Sequence, residues 1–197
     1  MRGTWLAIIG LAGAACESRD VGTPANGGLS GEVPRAELSL ARDPALLMDS
    51  AEALIVRDSS VGMVSVDEDG RPRIRTVRAF RLMTFANDRD RFSVFVLTRM
   101  STRKVEQIAQ NPLVTLYFNE DHRLTYATLM GRATVHRDPA NPRLQSFLDS
   151  ATVRFFWPQF PRDFVIVEVV PQWVEFIGPG LWNDPATWRP QAVVFEE

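Results

Sequence analysis

The chain has 197 residues, enough for one domain with a sizeable core plus a leader. A net charge of −2 and ordinary apolar content argue against wholesale disorder and exclude the basic footprint of a nucleic-acid binder. A single cysteine excludes an internal disulfide, and two histidines, His122 and His136, are too few and too scattered for a histidine-rich metal site.

Met1-Arg2 gives a minimal positive start, and Trp5 to Ala15 is a short apolar run. The run falls well below the ~20 residues that span a bilayer, but it suits a secretory signal. Cys16 directly follows Gly13-Ala14-Ala15, which resembles a bacterial lipobox. Residues 1–16 are therefore expected to be a lipoprotein-type signal peptide, with Cys16 lipidated and the protein exported and anchored in the cell envelope or periplasm. A lipobox usually carries leucine where this chain has Gly13. The alternatives are a secreted protein cut after Ala15, or a cytoplasmic one with a mis-assigned start. Without a twin-arginine pair the export route is Sec-type, and a cofactor would be acquired outside the cytoplasm.

Residues 17–42, rich in Gly, Pro, Ser and charge, read as a flexible linker ahead of a domain over 43–197. Asp43-Pro44 supplies an N-cap and a proline at the first helical position. Leu46, Leu47, Ala51, Leu54 and Ile55 then predict an amphipathic helix from Pro44 to about Arg57. From Val61 the period changes to that of a strand, ending at Val66. Asp67-Glu-Asp-Gly70 is a hairpin turn; as a calcium loop it would lack further ligands. Arg73 to Met83 is the return strand, and Ala86 to Asp90 turns again.

Phe92 to Thr98 is apolar on both alternating faces and is expected to be buried on both sides. Ser101 is placed to cap a helix that sends Val105 and Ile108 to the core and stops at Asn111-Pro112. Arg103 and Lys104 occupy its first turn, where the helix dipole disfavours cations. Two readings stand: the cations flank an anion, such as a phosphate, held on the helix start, or they point into water. Strands follow at Leu113–Phe118 and Leu124–His136, the second with a bulge or sharp bend expected at Gly131. Asp138-Pro139 starts a helical segment to about Phe156, broken near Ser150. Phe164 to Ile177 is the last long strand, with Val165, Val167 and Val169 on one face and Pro171 marking an edge or bulge. The tail after Gly180 holds Trp182 and Trp188 but no clear period. Six or so antiparallel strands with few helices predict a mainly β fold, a closed or split β-barrel with flanking helices.

A second basic element lies on the return strand, at Arg71, Arg73, Arg75 and Arg78. Arg73 and Arg75 share a face and Arg78 takes the other. One of them beside Arg103 or Lys104 would complete a clamp for a phosphate ester; otherwise they blunt an exposed edge strand. There is no Gly-x-Ser-x-Gly elbow, no cysteine nucleophile in the domain, and no Walker or dinucleotide glycine pattern. His122 and His136 read as surface residues rather than bases. Trp157, Trp182 and Trp188 are core or interface residues, or else wall a flat aromatic ligand. Phosphate anchors and apolar walls without acid–base machinery point to a bound cofactor as the reactive group.

Gly70-Arg-Pro, Arg75-Thr-Val-Arg78, Leu97-Thr98, Ser101-Thr-Arg-Lys104, Asn111-Pro112 and Tyr126-Ala-Thr-Leu-Met-Gly131 together resemble the pyridoxamine 5'-phosphate oxidase-like FMN-binding split-barrel family, nearest its bacterial general-stress branch. The resemblance runs from about Leu46 to Gly178. It implies a six-stranded antiparallel split barrel, a homodimer, and FMN in a cleft between subunits. Carried over by position, Arg75 and Lys104 would hold the FMN phosphate with help from Arg103 and Ser101. Backbone around Thr76, Val77 and Arg78 would face the flavin ring, and Leu97-Thr98 would line the ribityl and phosphate region. True pyridoxamine phosphate oxidases carry a glutamine near the position of Tyr126, and an Arg-x-His pair after the last strand for the substrate phosphate. This chain has Leu181-Trp-Asn-Asp184 there, which argues against vitamin B6 oxidation. The implied function is a flavin-dependent oxidoreductase with a small substrate of unassigned identity. The alternatives are a barrel using deazaflavin or heme, and a non-catalytic flavin-binding or storage protein.

Overall fold

In the computed structural model the described residues are 39–57, 60–81 (Arg81 by backbone only), 91–120, 124–138, 140–142 and 163–195. The signal expectation, Cys16 included, and residues 17–38 of the expected linker lie outside them, as do Met83, the turn at 86–90, His122, Trp157 and most of the helical segment predicted to Phe156. The end of the expected linker is described and is not free: Ser39–Leu40 form a strand paired with Gln191–Ala192.

The elements are β1 (Ser39–Leu40), α1 (Pro44–Arg57), β2 (Ser60–Val66), β3 (Pro72–Arg81), β4 (Val94–Arg99), α2 (Arg103–Gln110), β5 (Leu113–Asn119), β6 (Tyr126–His136), β7 (Phe164–Ile177) and β8 (Gln191–Val194). The strand order β7-β4-β3-β2-β5-β6 returns to β7, which closes a six-stranded antiparallel barrel. β8 pairs with the far end of β7, and β1 lies parallel to β8.

α1 begins as its sequence dictates. Asp43 accepts a hydrogen bond from the Leu46 amide at 3.0 Å, satisfying one of the first-turn donors. Leu47, Met48, Ala51, Leu54 and Ile55 are buried; Leu46, expected with them, is exposed because it falls off the apolar stripe. Asp67 shapes the β2–β3 hairpin by accepting from the Asp69 and Arg71 amides at 3.1 and 2.8 Å and from Arg73 Nε at 2.6 Å. Gly70 takes the positive φ of 76° that this turn requires.

The barrel interior is built from rows of cross-strand partners. Met63, Leu116, Leu129 and Val174 face one another in register around the ring, and all are fully buried. β4 is buried from Val94 to Thr98, as its double-sided apolar pattern predicts. The bulge expected at Gly131 is present, as a register shift between Met130 and Gly131 against β7. A Cβ on Gly131 would lie 2.1 Å from the Val170 carbonyl oxygen, so no side chain fits there. Pro171 sits where β7 passes from pairing with β4, which ends at Val169, to pairing with β8, which starts at Trp173. Its missing N–H is lost in that gap.

Candidate functional site

β3 brings Arg75 to the end of the buried Met63 row, because Arg75 and Met63 are register partners. That explains why a guanidinium is half-buried on a strand of a barrel wall. β4 ends with Thr98 on the same inner side, and the chain then turns into α2. The helix starts one residue later than expected. Thr102, not Ser101, is the N-cap, and it makes no side-chain capping bond. Its hydroxyl instead donates to the Arg99 carbonyl at 2.9 Å and lies 3.2 Å from the Thr98 hydroxyl. The first-turn amides are left without a side-chain acceptor.

Lys104 folds back so that Nζ donates to Thr98 Oγ1 at 2.9 Å. Arg75 Nη2 donates to Gln107 Oε1 at 2.9 Å, and Ser65 Oγ donates to the same oxygen at 2.7 Å. Gln107 thus ties α2 to both β2 and β3; it was missed in the sequence, although it lies one helical turn beyond Arg103. Among the described residues, the acceptors that Arg75 and Lys104 meet are neutral. Among the described residues no carboxylate is within ion-pair distance of Arg75, Arg103 or Lys104. Arg75 Nη1 is buried with no hydrogen-bond partner.

The electrostatics follow. Burial, then the Arg103 and Arg73 charges, push Arg75 below the ordinary arginine value. Burial, then Arg75, holds Lys104 below the ordinary lysine value. Cations gathered with no counter-charge among the described residues, beside a helix start whose N-cap side chain makes no capping bond, form a site that an anion would complete.

The other sequence-predicted residues divide. Ser101 and Arg103 are exposed at the helix start, and Leu97 is buried behind Thr98. Thr76 and Arg78 lie on the outer face of β3, with Arg78 6.0 Å from the Phe80 ring; Val77 is buried inward. β3 meets β4 only at Ala79–Arg81, so from Pro72 to Arg78 its β4-side edge carries no strand among the described residues. β3 is thus paired with β2 over Pro72–Arg78 and with β4 over Ala79–Arg81, and the barrel is split along Pro72–Arg78, the stretch that carries Arg75. His136 is not a surface residue. Its Nε2 lies 2.8 Å from Glu168 Oε2 and its Nδ1 3.2 Å from Asn141 Nδ2, with Glu168 only 3 % exposed.

A second concavity lies where β5, β6 and β7 end. It has a volume of about 720 Å³, and Tyr117, Tyr126, Trp182 and Trp188 are among its walls. None of the cationic cluster lines it. The Tyr117 and Tyr126 rings are 5.5 Å apart. Asp184 organises the loop beyond β7: Oδ1 accepts from the Ala186 and Thr187 amides at 2.8 and 3.2 Å, and its carbonyl from the Trp188 amide at 2.7 Å.

A family model described as pyridoxamine 5'-phosphate oxidase matches residues 47–178. No curated protein matches the sequence. Among solved structures, General Stress Protein 26 from Bacillus anthracis str. Sterne superposes with TM-score 0.56 at 16% identity, covering 75% of this chain and 98% of that one. A protein related to general stress protein 26 from Clostridium acetobutylicum gives TM-score 0.57 at 16% identity, with 75% and 93% covered. A heme binding protein from Mycobacterium smegmatis gives 0.54 at 17%, with 79% and 60% covered. At these identities the likeness concerns the fold.

Proposed function

The chain belongs to the pyridoxamine 5'-phosphate oxidase-like family, and from that premise we propose that it is an FMN-binding oxidoreductase acting on a small substrate. The observation that carries the proposal is the half-buried Arg75–Lys104 pair, with Arg103 beside it and, among the described residues, no carboxylate within ion-pair distance to balance the charge. The orphaned Arg75 Nη1 fits a phosphate oxygen as its acceptor. In this reading Arg75, Lys104, Arg103 and Ser101 hold the FMN phosphate, Thr98 and Leu97 line its approach, and the open β3 edge at Thr76–Arg78 faces the ring. Bound flavin supplies hydride and electron transfer; the protein's own residues bind and orient it. The altered sequence at Leu181–Asp184 supports a substrate other than pyridoxamine phosphate. A heme reading stands as the alternative; among the described residues the histidine it could use, His136, has both ring nitrogens engaged.

The reading includes a homodimer joined through the outer face of β2, β3 and β5, where Ile74 is 72% exposed beside Tyr117. It also includes export, with an anchor on Cys16; Cys16→Ser would release the protein from the membrane fraction.

The test is the absorption spectrum of the purified full chain, followed by FMN titration. Flavin bands and NAD(P)H-dependent bleaching are expected; bands without bleaching would indicate a store rather than an enzyme. Arg75→Ala and Lys104→Ala should each weaken FMN binding roughly 10- to 150-fold, the worth of a charge-assisted hydrogen bond. If neither variant changes the affinity, the assigned phosphate site is wrong.

A further inference from the structure

Register places the outward side chains of the sheet in two neighbouring rows. Ile74, Val64, Thr115, Met130, Trp173 and Val194 are successive partners from β3 round to β8. The row beside it runs Thr76, Gly62, Tyr117, Thr128, Glu175 and Ala192. A sheet face turned to water is ordinarily polar. Here the first row is apolar except at Thr115, with Ile74 72% exposed and the rest part-exposed. Glu175 is the charged residue of the two rows.

The surroundings of that carboxyl do not suit a charge. Thr128 beside it on β6 and Ala192 beside it on β8 are both buried. Trp173, two residues earlier on the same face, keeps Nε1 buried with no acceptor, so the indole does not donate to it. Among the described residues no ion pair or hydrogen bond meets the carboxylate. Its titratable neighbour is Tyr126, which burial, then the Glu175 charge, then Tyr117, keeps protonated. Arg78 and Arg132 share the outer face but stand off both rows, opposite Ser60 and Val170. Burial alone raises Glu175 above the ordinary 4.5. An unpaired carboxylate in apolar surroundings costs the free subunit stability.

We propose that this two-row face meets a second copy of itself and that the contact takes up a proton at Glu175, so that dimerisation tightens as the medium acidifies. The inference rests on the dimer reading above. In a two-fold contact the same patch meets itself. Neither row carries a cation, so a second copy brings Glu175 apolar surface and no counter-charge. Covering the carboxyl strips water from it and favours its neutral form. The dimer then binds more protons than two free subunits, and linkage requires its affinity to rise as pH falls from the dimer's Glu175 value to the free subunit's, which itself lies above 4.5.

Sedimentation velocity of the full chain over a dilution series, at about pH 8 and about pH 5, reads this linkage directly. The dimer dissociation constant should fall roughly tenfold or more on going to the acid condition. Glu175→Gln, neutral throughout and nearly the same shape, should dimerise in the alkaline buffer as tightly as wild type does in the acid one, with no pH dependence left. Glu175→Asp, which can still take up a proton, should keep the dependence. An equal dissociation constant in both buffers, a dimer that weakens in acid because a cation faces Glu175, or a Glu175→Gln variant that still tightens in acid overturns the proposal. A wild-type chain that stays monomeric in both buffers overturns it together with the dimer reading, whereas a dimer indifferent to pH overturns the proton linkage alone.

Discussion

A lysine packed against an arginine is a liability until something negative joins them. The folded value of Lys104 lies below its unfolded 10.5, with burial and then Arg75 as the causes. Between those two values the unfolded chain binds more protons than the folded one, so this residue's contribution to stability improves as pH rises toward 10.5. At neutral pH the deficit is complete. Lys104→Met, which keeps the apolar stem, should therefore raise the melting temperature of the cofactor-free protein by on the order of 1–3 °C while weakening FMN binding. A lowered melting temperature would show that the Thr98 hydrogen bond outweighs the charge repulsion. Asp184 has the opposite sign. The Ala186 amide above all, then the Thr187 amide and Arg42, hold its carboxyl below the usual 3.8. Its support for the Trp188 loop is present above that value and fades as pH falls below it. Tryptophan fluorescence titrated downward from neutral pH should change only below 3.8, and Asp184→Asn should show the acid-form spectrum at neutral pH.

Elements were legible in proportion to how local their cause is. α1 and β7 appear in the sequence with their observed bounds, because a cap with a proline sets the first and a long alternating run ending in Gly-Pro-Gly sets the second. Gly131 announced its bulge, because a glycine inside a strand weakens it and is kept where the chain bends or another backbone comes close. Its substitution is the clearest test of the barrel's corner. Gly131→Ala drives a methyl into the Val170 carbonyl 2.1 Å away. It should destabilise the fold by about 3 kcal/mol or more, a melting-temperature loss of roughly 6–12 °C in thermal unfolding. What stayed hidden depends on partners distant in the chain. β8 is four residues long and exists because β7 offers it an edge. The His136–Glu168 pair joins positions 32 apart. The shift of the cap from Ser101 to Thr102 reflects the Thr98 and Arg99 atoms that the Thr102 hydroxyl meets. Of the candidate site, the cations could be read from composition and spacing; Gln107, which ties α2 to β2 and β3, could not.

At the scale of the whole molecule, the outer face that carries Ile74 and Tyr117 is the contact of the proposed dimer. Thr76, Gly62, Tyr117, Thr128 and Glu175 form one cross-strand row on this side of the barrel. Glu175 is half-buried within it, and burial raises its carboxyl above the ordinary value. Ile74→Lys places a charge beside this row and should shift sedimentation from dimer to monomer, with little change in the melting of the isolated barrel. A variant that sediments as the wild type does would move the dimer contact elsewhere.

β7 is the strand on which three others depend: β4, β6 and β8 all hydrogen-bond to it. It is made late, after six of its seven fellow strands. Until Phe164–Ile177 leaves the ribosome, the earlier strands form an unclosed ribbon with two raw margins, kept from finishing by the order of synthesis alone. A nascent chain stalled before Phe164 should therefore be threadable, protease-sensitive and dependent on holdase chaperones, and the last segment acts as the clasp that commits it to its shape.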